Sequence, residues 1–239
     1  EWLSKLKILS IKDFENKKSN WTDTPIVVSG NAERYKFIKE KIEKFAFKHR
    51  QPVLCWNCPV RVANGQYKAP SFDPEDVYDQ IIKYFVRGAK CVLTESLENK
   101  LGLGKGSEGI MLDAVWKDEA DAVDIDALPV GKITQVSQPD YLVMKFENDQ
   151  GADRFICLQP RAASFEDIYG KTRKILAHEC ELSAAVTFHK MQGKTVPEVI
   201  LSLNSTSSIS RKIYPISLPS LYVGCSRVHD FQNLRALPL

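Results

Sequence analysis

Long apolar runs are missing from this 239-residue chain: none reaches the roughly 18 residues that a membrane-spanning helix needs. A signal-peptide pattern is missing as well. The chain opens on Glu1 rather than Met, so the expectation is a fragment or processed product of a longer protein. Histidine is scarce. His49, His178, His189 and His229 show no triad partner, which argues against an unrelated α/β enzyme built on a nucleophile and a base. Cysteine is confined to positions 55, 58, 91, 157, 180 and 225, with a single C-x-x-C at Cys55 and Cys58. A structural zinc site needs a second ligand pair, which His178 and Cys180 could supply; reduced thiols in a nuclear or cytoplasmic protein are the favoured expectation. A strong charge bias is absent too. A net charge of +3 and a pI near 8.4 permit nucleic-acid binding without arguing for it. There are no internal repeats. What is present is 44% hydrophobic residues, enough for a substantial core in one large domain or two small ones.

A complete phosphate-binding loop is also missing. The pattern G-x-x-x-x-G-K-[ST] lets backbone N–H groups wrap phosphates. Gly193-Lys194-Thr195 and Gly170-Lys171-Thr172 both end like it, but Phe188 and Phe165 stand where the first glycine belongs. Gly104-Lys105 is followed by Gly106 and fails as well. No apolar strand ends in the acidic pair that would hold magnesium, and Asp118-Glu119 opens an acidic stretch of solvated loop.

The order of elements predicts an α/β fold with an insertion. Residues 1–20 read as a helix and a polar connection. Pro25–Ser29 reads as a short buried strand, and Asn31 caps a helix carrying Tyr35, Ile38, Ile42 and Phe45 at helical spacing. "PVLCW" (52–56) reads as a second strand, and this strand–helix–strand order suggests a parallel sheet. "VYDQIIKYF" (77–85) reads as a short helix and "AKCVLTES" (89–96) as a strand. From about 104 to 182, short strands such as "GKITQV", "DYLVMKF" and "RFICLQP" read as a small antiparallel β-unit. Afterwards come "LSAAVTF", "VPEVILSLN", a Ser-rich loop "STSSIS" and "LPSLYVGCSRVHDFQNLRAL". The aromatic residues Tyr84, Phe85, Tyr141 and Phe146 read as core rather than as base-stacking platforms.

Two late stretches carry the chemistry. In "TFHKMQGKT" a strand over 182–186 delivers Thr187 and His189 to its C-terminal end, where open α/β sheets place ligands. Hydroxyl and imidazole groups can donate to backbone phosphates without reading sequence. Gln192 and Thr195 are uncharged donors beside Gly193, which permits close backbone approach. The plainer alternative is a strand followed by a polar turn. In "LYVGCSRV" the small residues Gly224, Cys225 and Ser226 suggest a closely packed helix presenting Arg227, either in a surface ion pair or toward a phosphate, which guanidinium geometry suits.

Taken together, "AAVTFHKMQGKTVPEVILSL" and "LYVGCSRVHDFQNLRAL" resemble motifs V and VI of PIF-type, RecD-like superfamily 1 DNA helicases. The family patterns are [ST]-[IVF]-H-K-[SAM]-Q-G-x-T and Y-V-[AG]-x-S-R. The resemblance is strong over 183–236 and moderate over 21–116. It implies a RecA-like, P-loop-NTPase-type parallel sheet, the second motor domain, over 1–103 and 183–239. An SH3-like antiparallel β-barrel would be inserted over 104–182. It further implies that the first motor domain, with its ATP and Mg2+ ligands, lies upstream in the same parent chain and is a partner of this one. Thr187, His189, Lys190 and Thr195 would contact single-stranded DNA. Gln192 and Gly193 would face ATP, and Arg227 would be the finger on its γ-phosphate, in a motor moving 5′→3′. Ile38 departs from the Asn that many relatives have in this helix. The acidic residues Asp118, Glu119, Asp121, Asp124 and Asp126 would keep a phosphate backbone away. The resemblance implies a nuclear or mitochondrial protein in a eukaryote and a cytoplasmic one otherwise. The alternative is a degenerate helicase domain that serves only as a nucleic-acid or protein binding module.

Overall fold

A computed structural model describes residues 6–10, 13, 21, 23–70, 81–97, 103–147, 153–166, 171–206 and 213–237. The chain divides into two compact units, one formed by 1–41 with 183–239 and the other by 42–182. It is a mixed α/β fold with one parallel sheet and several antiparallel ones. Among the described residues, no helix is long and apolar enough to cross a membrane.

The first unit opens with β1 (Lys7–Ile8), where a helix was expected; most of that expected helix lies outside the described residues. Lys7 and Ile8 instead pair in parallel with Arg235 and Ala236 near the end of the chain. That edge is secured by the Arg235 guanidinium, which pairs with Asp13 at 2.7 Å and lies over the Trp21 ring at 4.6 Å. Strand β2 (Ile26–Val28) is wholly buried, as its apolar run dictates. Helix α1 (Asn31–Lys48) buries Ile38 and Ile42, while Tyr35 and Phe45 are half-buried. Lys41 on the same helix is buried, and its ammonium donates to the Trp21 and Thr24 carbonyls, which replace the lost water.

The second unit takes in the end of α1 from Ile42, and its first strand is β3 (Val53–Asn57). The sequence reading placed this strand in one sheet with β2; it lies in another. It is the centre of a three-stranded sheet, antiparallel to β6 (Ile82–Phe85) and parallel to β9 (Ile133–Gln135). A strand buried on both faces reads the same in any such sheet, so the apolar run did not identify its neighbours. The helix expected over 77–85 is likewise a strand over Ile82–Phe85. Tyr84 and Phe85 pair with Cys55 and Leu54, and sheet packing overrides weak local preference; residues 77–80 lie outside the described residues.

A second sheet of four strands joins β4 (Val60–Arg61), β5 (Tyr67–Lys68), β12 (Arg161–Glu166) and β13 (Thr172–Ala177). A third, of five antiparallel strands, contains β7 (Lys90–Leu93), β8 (Glu108–Val115), β10 (Tyr141–Glu147), β11 (Asp153–Leu158) and β14 (Cys180–Leu182), in the order β11-β10-β8-β7-β14. Strict alternation buries Leu142, Met144 and Phe146 on one face of β10. Phe85 and Phe146 are core, as expected, and Tyr84 and Tyr141 are half-buried. The acidic loop 117–126 is exposed except at Val123 and Ile125; Asp126 pairs with Arg87 at 2.7 Å. None of the six cysteines forms a disulfide.

The chain returns to the first unit with β15 (Ala185–Thr187), β16 (Val199–Leu201) and β19 (Leu234–Ala236), which complete a five-stranded parallel sheet in the order β1-β19-β16-β2-β15. Leu182 belongs to β14 of the other unit, so the strand feeding the late motif is shorter than 182–186. A hairpin of β17 (Asn204–Thr206) and β18 (Ile213–Pro215) takes in part of the stretch read as a Ser-rich loop; residues 207–210 lie outside the described residues. Helices α2 (Phe188–Met191) and α3 (Leu218–Cys225) follow among the described residues of this unit. Its core joins Val27, Val199, Leu201 and Leu234 of the sheet to Phe188, Met191 and Leu221 of these helices.

Candidate nucleic-acid and nucleotide interface

Because β15, β2, β16 and β19 run parallel, their C-terminal ends share one side of the sheet. Thr187 ends β15 opposite Val28 and begins α2. Its backbone is still extended, its hydroxyl makes no cap bond, and the residue is only 9% exposed. In the single turn of α2, Phe188 and Met191 stand three apart on one face and enter the core. His189 and Lys190 are thereby turned to the exposed side.

The backbone then reverses. Gln192 N–H donates to the His189 carbonyl at 3.3 Å, and Lys194 N–H to the Met191 carbonyl at 3.1 Å. Gly193 carries a φ of +79°, which side chains resist, and no atom stands within 4 Å of where its Cβ would be. Glycine here serves the reversal and leaves the space in front of it open. Gln192, Gly193 and Thr195 are exposed.

Helix α3 starts where Ser217 Oγ accepts the Ser220 N–H and Pro219 fits the first turn. Its buried face consists of Leu221 and Gly224. A Cβ at Gly224 would lie 2.7 Å from Leu201 Cδ2 and 2.7 Å from Phe188 Cε1, so only glycine lets α3 settle this close to β16 and α2. Cys225 packs at the edge of the same core, and burial pushes its thiol up to about 11, the behaviour of a packing residue rather than a nucleophile.

Arg227 leaves the end of α3 half-buried, and its own fold holds it. Nε donates to the Val223 carbonyl at 2.9 Å and to Ser226 Oγ at 3.3 Å; Nη2 donates to Ser226 Oγ at 2.7 Å. Nη1 donates to the Lys194 carbonyl at 3.2 Å, and Val196 N–H donates to the Arg227 carbonyl at 2.9 Å. The two late motifs, more than thirty residues apart in sequence, are thus latched together through Arg227 and packed together through Gly224.

The fold therefore brings Gln192, Gly193 and Thr195 next to Arg227 along one loop, with His189 and Lys190 exposed on the turn before it. It leaves Thr187 buried. Three acceptors were not foreseen: Ser226 Oγ and the carbonyls of Val223 and Lys194. The Ser-Arg pair was the one available signal, because a carbonyl has no letter in a sequence. Among the described residues, no group of three or more His, Cys, Asp or Glu side chains converges as a metal site.

No protein-family model matches this sequence, and a comparison with curated proteins finds no match. Solved structures do match. A Pif1 helicase from Candida albicans superposes with a TM-score of 0.54 at 17% identity, over 92% of this chain and 47% of that one. Bacteroides Pif1 bound to ssDNA gives 0.53 at 15% identity, over 98% of this chain and 43% of the other. A Pif1 structure describing unwinding of forked dsDNA by two coordinating helicases gives 0.53, over 98% and 41%. The fold is therefore of the Pif1 helicase kind, and the chain spans less than half the length of each of these three structures.

Proposed function

We propose that this chain is the second, RecA-like motor half of an ATP-dependent DNA helicase, with residues 104–182 as its SH3-like insertion. In this reading His189, Lys190 and Thr195 hold the backbone of single-stranded DNA, and Thr187 supports the turn that carries them. Gln192, Gly193 and Arg227 face ATP held mainly by a first motor domain of a longer parent chain. That domain would supply the phosphate-wrapping loop and the Mg2+ ligands. ATP bound there provides the free energy of phosphoryl transfer. What this chain contributes is charge on the γ-phosphate from Arg227, an effect worth roughly 10³–10⁵ in rate where such a finger acts. The observation that carries the reading is the latch. The segment assigned to the strand and the arginine assigned to the nucleotide share hydrogen bonds from Arg227 to Lys194 and from Val196 to Arg227. Engagement of either ligand is then felt by the other. By itself this chain lacks a phosphate-binding loop and is expected to hydrolyse no ATP.

A second reading is a helicase-derived module that binds nucleic acid without hydrolysis. Strand binding is tested by fluorescence anisotropy of a labelled single-stranded oligonucleotide at two salt concentrations. The expected result is salt-weakened binding that drops by about tenfold in a His189→Ala/Lys190→Ala variant, since phosphate contacts dominate affinity. Unchanged affinity in the double variant would remove the strand from this surface and both readings with it.

A further inference from the structure

The guanidinium of Arg227 has five N–H groups, and its surroundings use them unevenly. Ser226 Oγ accepts along one side of the fork, from Nε at 3.3 Å and from Nη2 at 2.7 Å. The Val223 carbonyl reinforces Nε at 2.9 Å, and the Lys194 carbonyl takes Nη1 at 3.2 Å. Each terminal nitrogen still carries a second N–H beyond the one given to these acceptors. The Ser226 hydroxyl proton is itself directed to the Val223 carbonyl at 3.1 Å, which turns the oxygen lone pairs toward the guanidinium. The hydroxyl is thereby oriented as an acceptor, and its neighbours fix the plane of Arg227 while leaving donors for an anion.

We propose that Ser226 is a positioning residue for Arg227: it clamps the Nε side of the guanidinium so that the remaining N–H groups of Nη1 and Nη2 are presented together to a phosphate. This rests on the reading of Arg227 as the nucleotide-facing arginine. An arginine side chain has several rotatable bonds, and freezing them before the phosphate arrives removes that ordering from the reaction step. Lysine at 227 cannot be clamped in this way, because an ammonium has neither a fixed plane nor an Nε beside it. The Ser226 side chain is exposed and its cap bond is local, so its loss leaves the core joining α2, α3 and β16 in place.

Two measurements test this. In the chain itself, the Arg227 Nη2–H resonance in a nitrogen-15 spectrum, from the group that Ser226 Oγ holds at 2.7 Å, is expected to be ordered and slow to exchange. Ser226→Ala should mobilise it, and Ser226→Thr, which keeps the hydroxyl, should restore it. A resonance indifferent to Ser226→Ala would overturn the proposal whatever the protein's activity. In the full-length parent, Ser226→Ala should lower kcat of strand-stimulated ATP hydrolysis by about tenfold to a hundredfold, the scale of a misplaced reacting group. KM for ATP and strand affinity should hold, and Ser226→Thr should recover most of the rate. In an Arg227→Ala background the same substitution should have no further effect, because Ser226 acts only through Arg227. A Ser226→Ala parent at the wild-type rate, beside an Arg227→Ala parent that has lost it, would sink the positioning role and leave the arginine's role standing. Wild-type rates in Arg227→Ala would instead remove the reading on which the proposal depends.

Discussion

Substituting Gly224 by Ala tests the packing that joins the two late motifs. The added methyl would lie 2.7 Å from both Leu201 Cδ2 and Phe188 Cε1, and 3.3 Å from Leu201 Cδ1. Carbon atoms rest about 3.5–4.0 Å apart, so each of two neighbours must retreat by close to an ångström. Neither has room. Leu201 is fully buried in a central strand, and Phe188 is 4% exposed in the core. Overpacking of this kind costs about 1–3 kcal/mol, and two obstructed directions place it in the upper half. Alanine returns about 1 kcal/mol through better helix propensity and lower unfolded-state entropy. The net expectation is a loss of about 1–2 kcal/mol, read as a lower urea midpoint at unchanged slope. Because α2 carries His189 and Lys190 while α3 leads into Arg227, strand affinity should fall as well. Equal or greater stability in Gly224→Ala would mean that α3 does not sit where this account places it.

Two further outcomes follow from buried groups of the second unit. His178 is 3% exposed, stands edge-on to Trp56, and is pushed down to about 4 by burial and then by Lys83, with Asp140 opposing. Between pH 6.5 and about 4 the unfolded chain takes up a proton that the folded one refuses, so stability falls as pH falls, by about 3 kcal/mol over the window. His178→Phe should flatten unfolding free energy across that range; an unchanged slope would place the acid sensitivity elsewhere. Among the cysteines, Cys157 is exposed, whereas burial pushes Cys58 up to about 11 and Cys180 to about 12, and raises Cys91 further. A thiol reagent at neutral pH should therefore label Cys157 first and reach these three only on unfolding, which peptide mapping would check.

What the sequence made legible was whatever repeats with a period or sits at a fixed offset. The alternation of "DYLVMKF" gave away β10, the spacing of Ile38 and Ile42 gave away α1, and the two motifs marked the residues that the loop and α3 bring together. Neighbours were harder. Val53–Trp56 is equally apolar whichever strands flank it, so its place beside Ile82–Phe85 and Ile133–Gln135 followed only from the three-dimensional pairing. Lys7–Ile8 is too short to show a period, and it is a strand only because Arg235 and Ala236 lie alongside it. The cradle of Arg227 was half legible. Ser226 is visible in the motif, but the Val223 and Lys194 carbonyls are backbone atoms that any residue would supply. Thr187 was read as a surface contact from its place at a strand end, yet it is also the point where the chain turns inward to bury Phe188.

The central claim is that Arg227 acts on ATP bound to another domain of a longer parent, and strand-stimulated ATP hydrolysis by that parent, wild type against Arg227→Ala, tests it most directly. The account predicts a loss of several hundredfold or more with single-strand affinity retained, approaching or reaching the range of about 10³–10⁵ that such an arginine can contribute. Equal rates in the two proteins, or no hydrolysis in either, would contradict it and leave this chain as a binding module.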